Sequence, residues 1–68
     1  MIVTINGERR ELPSSATVAS VVELLDVAPA ARGVAVALNG EVVTRAQWPQ
    51  TEVQDGARIE IVAAIGGG

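Results

Sequence analysis

Val34-Ala35-Val36-Ala37-Leu38-Asn39-Gly40-Glu41-Val42-Val43 is the stretch whose reading decides the fold. Val34, Val36 and Leu38 recur at every second position, the period of a strand with one face turned to a core. Asn39-Gly40 supplies two residues that tolerate positive φ, and Glu41 to Val43 pairs back, so the ten residues predict a β-hairpin with a tight turn. The same pattern opens the chain. Val3 and Ile5 alternate with Ile2 and Thr4, Asn6-Gly7 turns the backbone, and Glu8 to Leu12 returns until Pro13 ends the strand and Ser14-Ser15 make a polar bend.

Between the hairpins the period changes. Val18, Val21, Val22 and Leu25 fall on one helical face at three- and four-residue spacing, with Ser20 and Glu23 elsewhere, and Thr17 is placed to cap the first turn with its hydroxyl. The helix is predicted to run to about Leu25. Asp26 to Gly33, containing Pro29, reads as a connection that cannot easily continue it. Beyond the second hairpin, Thr44 to Pro49 is expected to form a short helical turn carrying Trp48, and Asp55-Gly56 another turn. Ile59 and Ile61 then alternate with Arg58, Glu60 and Val62 in a last strand. Strands and helix in separate runs predict an α+β domain: one helix across a mostly antiparallel sheet of about five strands, the last strand central beside the first. Residues 1–64 make the domain and 65–68 a flexible C-terminal tail.

Composition narrows the function. Sixty-eight residues permit one small core without a deep cleft, and 49% hydrophobic content, dominated by Val, Ile, Leu and Ala, can fill it. The chain has no Cys, His, Lys or Tyr, so it lacks disulfides, the usual soft metal ligands and the commonest nucleophiles. No catalytic residue, metal site or bound cofactor is therefore expected, and any chemistry comes from a partner. Five arginines against eight carboxylates give a net charge of −3 without a basic block, and Trp48 is the only aromatic, which argues against nucleic-acid binding. No stretch is long enough to cross a bilayer and the start lacks the pattern of a signal peptide, so with no cysteines a cytoplasmic protein is expected; it is also expected to be a monomer when free.

The reactive feature is the end of the sequence. Gly66, Gly67 and Gly68 carry no side chain to obstruct a narrow channel, so the tail is suited to thread into another protein's active site and present the carboxylate of Gly68. A frayed end is the bland alternative, and in either case these glycines are expected to move freely until a partner binds. Ile65 and Trp48 are candidate partner contacts, although a lone Trp more often plugs a core edge with its N–H bonded. Arg45 reads as a solvated loop residue, Val34, Val36 and Leu38 as core, and Glu8 and Glu11 as a solvated strand face. Any sheet face left open is the expected docking surface.

Taken together, the hairpin through Asn6-Gly7, the helix start Thr17-Val18 leading to Glu23-Leu24-Leu25, the run Val36 to Val43, Arg45, Trp48, Asp55-Gly56, Ile59-Glu60-Ile61-Val62 and the terminal glycines resemble the ThiS family of sulfur carriers over essentially the whole chain. Thr44, where proline is common, and Ala57, where aspartate often stands, depart from the family pattern. The resemblance implies a ubiquitin-like β-grasp fold. It implies a protein substrate whose Gly68 carboxylate is adenylated with ATP and magnesium by a ThiF-type enzyme. A persulfide donor then supplies sulfur to form a thiocarboxylate, and thiazole synthase takes that sulfur for thiamine biosynthesis. A related β-grasp carrier serving molybdopterin or another sulfur-containing metabolite, a non-covalent binding module and a ubiquitin-type modifier remain as alternatives.

Overall fold

Two turns with left-handed backbone frame the molecule. Asn6 and Gly7 have φ of 50° and 85°, and Asn39 and Gly40 have 51° and 86°. Positive φ at both central positions is the two-residue hairpin turn whose twist matches that of the flanking strands. The structure is a computed structural model and describes residues 1–25 and 33–63. Around the first turn, β1 (Ile2–Ile5) pairs antiparallel with β2 (Glu8–Glu11), and around the second, β3 (Val34–Leu38) pairs with β4 (Glu41–Val43). The last strand, β5 (Arg58–Ala63), joins them. It runs parallel to β1 and antiparallel to β3, giving the sheet order β2-β1-β5-β3-β4. The mixed five-stranded sheet with β5 at its centre is the architecture expected from the sequence.

Among the described residues one α-helix, α1 (Val18–Leu24), covers one face. Seven residues are too few for a helix to stand alone in water, so its stability comes from its ends and its buried stripe. At the start, Thr17 Oγ1 accepts from Ser20 N at 3.2 Å while Thr17 N donates to Ser20 Oγ at 2.8 Å, a reciprocal capping box. Val18, Val21 and Val22 are buried and Leu25, the C-cap, is half-buried. The chain around Thr51 to Val53 adds a second tether. Val18 N donates to Thr51 O and Val53 N to Ala16 O, at 2.9 and 3.0 Å.

The core lies between α1 and the inner face of the sheet. Val3 and Ile5 from β1, Val36 from β3, Val43 from β4 and Ile59 and Ile61 from β5 meet the helix valines there. Leu12, Ala16, Val53 and Ala57 close the ends, so the family departure at Ala57 is a buried one. Of the three β3 residues expected inside, only Val36 is fully enclosed; Val34 and Leu38, the first and last residues of the strand, are half-buried and pack against the core's edge. A 3₁₀ helix, Arg45–Gln50, seals the β4 side with Trp48. The expected connection 26–32 lies outside the described residues, and Gly33, at its end, has φ of 84°.

Candidate functional site

The segment that leads to the terminal glycines is β5, and it is held from both sides. Thr4 N donates to Ala57 O and Asn6 N to Ile59 O, each at 2.9 Å, on the β1 side. On the other side β3 pairs with it over the full register from Leu38↔Ile59 to Val34↔Ala63. The two hairpin asparagines add side-chain bonds. Asn39 Oδ1 accepts from Arg58 N at 2.9 Å, and Asn6 Oδ1 accepts from Ile61 N at 2.8 Å while Asn6 Nδ2 donates to Ile61 O at 3.1 Å. Before β5, the Asp55-Gly56 turn is tied to β1: Ile2 N donates to Asp55 Oδ1 and Gly56 N to Ile2 O, both at 2.8 Å. Ile65, Gly66, Gly67 and Gly68, the predicted site residues of the tail, lie outside the described residues.

Among the described residues, no element covers the face of the sheet opposite α1. Alternation along each strand puts Val62 of β5 and Val42 of β4 on this side, 64% and 75% exposed. The register sets Ala35 opposite Val62 and Ala37 opposite Val42, so two alanines lie between the valines and leave their methyl groups proud. Arg58 and Glu60 continue the same face of β5, joined by an exposed contact of 3.7 Å that contributes little to stability. Thr4 faces Arg58 across the parallel pair and Ile2, 38% exposed, completes the row on β1. Glu8 and Glu11 sit exposed on the edge strand β2 with Arg9 and Arg10, where charge discourages pairing with another chain.

Trp48 does not belong to that surface. Its ring is buried at 7% exposure and its Nε1–H donates to Val43 O at 2.9 Å. The core-plug alternative thus describes its environment. Arg45 lies over the indole at 5.2 Å, a cation–π contact that ties its loop to the core edge. On the helix side, Leu12, Pro13, Ala16, Ser20, Val21 and Leu24 line an open, almost wholly apolar depression of about 100 Å³. It is well below the several hundred Å³ of an ordinary cofactor pocket. Among the described residues no group of three or more acidic, Cys or His side chains is placed to hold a metal ion, and no helix is long and apolar enough to cross a membrane.

Residues 3–68 match the family model described as ThiS family. The chain belongs to the ThiS family. It is 37% identical to the sulfur carrier protein ThiS of Escherichia coli (strain K12) over 68 residues that span the whole of both chains. It is 44% identical over its full length to a protein named thiazole synthase from Paramagnetospirillum magneticum, of which it spans only 20%. The crystal structure of the thiamine biosynthesis protein ThiS from Geobacter metallireducens superposes with a TM-score of 0.82 at 37% identity, covering all of both chains. A solution structure of a thiamine biosynthesis protein from the same organism gives 0.81, covering all of this chain and 88% of that one. The ThiS likeness therefore extends to the β-grasp fold itself, with the mixed sheet, single helix and central last strand described above.

The sequence pointed to the tail and to Trp48 but missed the two asparagine side chains that grip β5. The signal for them was present in Asn-Gly, which was read for its backbone angles alone.

Proposed function

We propose that this chain is the sulfur carrier of thiamine biosynthesis, with the carboxylate of Gly68 as the reacting group. The observation that carries the reading is the ThiS match over residues 3–68, running into Gly66-Gly67-Gly68, together with end-to-end similarity to a sulfur carrier. A carboxylate is a poor electrophile until one oxygen becomes a good leaving group. In the proposed sequence a Gly68 oxygen attacks the α-phosphorus of ATP, held with magnesium by a ThiF-type partner, and pyrophosphate leaves. The outer sulfur of a persulfide attacks the acyl carbon and AMP departs. A thiol then reduces the S–S bond so formed and releases the thiocarboxylate. That anion delivers sulfur to thiazole synthase, a partner supported by the relative of that name.

This chain contributes the tail and the surface that aligns it, and none of the catalytic groups. Ile65 precedes the glycines as a proposed anchor, and the open face of β5, β3 and β4 as the docking surface. The same reading has the carrier cytoplasmic, monomeric when free, and without a cofactor of its own. No observation favours the molybdopterin alternative over this one.

The test is fragment mass spectrometry after incubation with ATP, magnesium, a ThiF-type enzyme and a persulfide donor. Exchange of oxygen for sulfur adds about 16 Da, nearly the same as oxidising Met1, so the gain has to be located in a C-terminal fragment. An ATP-dependent gain at Gly68 is expected. Its absence with an enzyme active on its own carrier, repeated across ThiF-type partners, would overturn the reading.

A further inference from the structure

Asn6 does more than turn a hairpin. At this residue the main chain of β1 swings away from β5, since φ of 50° is incompatible with a continuing strand. The parallel ladder stops at Ile5↔Ile59. Ile61 nevertheless keeps both of its β1-side hydrogen bonds, because the Asn6 carboxamide stands where the next peptide of β1 would have been. One oxygen accepts from Ile61 N and one N–H donates to Ile61 O, at 2.8 and 3.1 Å. Asparagine alone combines this reach with both functions and a tolerance of left-handed backbone. Aspartate cannot donate at neutral pH, glutamine is one methylene longer, and serine has a single oxygen.

Asn39 makes a related contact at the opposite end of the strand. Its main-chain N donates to Arg58 O at 2.7 Å and its Oδ1 accepts from Arg58 N at 2.9 Å. The two hairpins thus clamp β5 at both ends, Asn39 where the strand begins and Asn6 near where it is succeeded by the tail. Ile61 is five positions before Gly66. We infer that Asn6 is a positioning residue for the reaction at the C-terminus: it fixes the last β1-side rung of β5, so that the exposed sheet face and the end of the strand from which the chain continues to Gly68 form one rigid unit for a partner enzyme. Val62, on the open face, is the next residue after the clamped one. Without the clamp, a partner docked on that face would meet a tail whose origin is held from the β3 side only, and the carboxylate would spend less time in reacting geometry.

The inference rests on the sulfur-carrier reading, and it is tested with two matched substitutions. Asn6→Gly and Asn39→Gly each preserve the positive-φ turn and remove the side-chain clamp at one end of β5. The carrier is charged by a ThiF-type enzyme with ATP and persulfide, the saturating rate is separated from the affinity of docking, and amide exchange is followed at Ile61 and Arg58. For Asn6→Gly, Ile61 is expected to lose protection and the saturating rate to fall by about tenfold, with docking affinity little changed. Asn39→Gly is expected to expose Arg58 and to stay within about twofold of the parent rate, so a general loss of stability does not account for the difference. Asn6→Asp, which keeps the acceptor but sets a carboxylate against Ile61 O, is expected to be slowed at least as much and guards against a folding failure peculiar to glycine. Equal charging of the Asn6 and Asn39 variants, or unchanged Ile61 protection in Asn6→Gly, would overturn the inference while normal charging of the parent left the carrier reading standing. Failure of the parent itself to charge would overturn both.

Discussion

Ile59 and Val62 belong to the same central strand, three residues apart, and lie on opposite sides of the sheet. Ile59 is 1% exposed beneath α1, whereas Val62 is 64% exposed on the bare face. Both are β-branched aliphatics suited to a strand, so local propensity does not distinguish them. What distinguishes them is what covers each. The inner face needs large side chains to fill the space under a seven-residue helix, and the outer one combines Val62 and Val42 with Ala35 and Ala37 in a shallow apolar surface that stability alone does not require. One face makes the fold, and the other leaves Val62 and Val42 exposed, the surface proposed above for docking.

The largest expected effect comes from attacking the covered face. Ile59→Ala removes three carbons from a site with no room to relax and is expected to cost about 3 kcal/mol, a large share of the stability of so small a domain. Chemical denaturation followed by the emission of Trp48, the only aromatic residue, measures this without interference. A loss below about 1 kcal/mol would mean the face under α1 is not close-packed and would blur the contrast between the two sides.

Trp48→Phe probes the border between the faces. The substitution keeps an aromatic plug but removes the donor to Val43 O and weakens the platform under Arg45, for an expected cost of about 1–2 kcal/mol. Circular dichroism supplies the unfolding signal once the indole is gone. If instead stability holds and binding to a ThiF-type partner collapses, Trp48 acts as a contact exposed on docking, and the 3₁₀ helix belongs with the recognition surface.

The helix cap is a smaller test of how the covered face is held. Thr17→Ala breaks the capping box and is expected to cost about 1 kcal/mol, and Ser20→Ala on the same background is expected to add little because the two side chains act as a unit. A negligible loss in both variants would assign the helix start to the Thr51–Val53 tether and not to the cap.

The covered face was legible in the sequence because its determinants are local. Period-two alternation identified Val3, Ile5, Val36, Ile59 and Ile61, period 3.6 identified Val18, Val21 and Val22, and Asn-Gly located both hairpins. The central place of β5 was expected from the α+β architecture, not from any local pattern, and the sheet order bears it out. Less legible were the features that depend on residues far apart in the chain. The Asn6–Ile61 pair joins positions 55 residues apart, and the bridge between Thr17 and Glu52 links a helix start to a segment with no strand period of its own. Trp48 illustrates the limit: the sequence favoured a core plug over a partner contact without naming what the indole meets, and the structure supplies the Val43 carbonyl and the burial of the ring. The tail is read from composition alone, and Gly66, Gly67 and Gly68 lie outside the described residues.

The smallest stability effect and the sharpest functional one are expected together on the bare face. Val42→Thr and Val62→Thr each exchange a methyl for a hydroxyl on a side chain already in water, so each is expected to shift stability by less than about 0.5 kcal/mol. On docking, however, that hydroxyl has to be desolvated against an apolar partner surface. Each substitution is therefore expected to weaken binding to a ThiF-type enzyme by about tenfold, read by titration calorimetry, and the pair by more than either alone. Because the Val62 side chain takes no part in the Asn6–Ile61 bonds, its substitution is also expected to leave the charging rate at saturating enzyme unchanged. Affinity and saturating rate would then separate into two devices on one strand, the valine methyls that hold the partner and the Asn6 carboxamide that aims the tail.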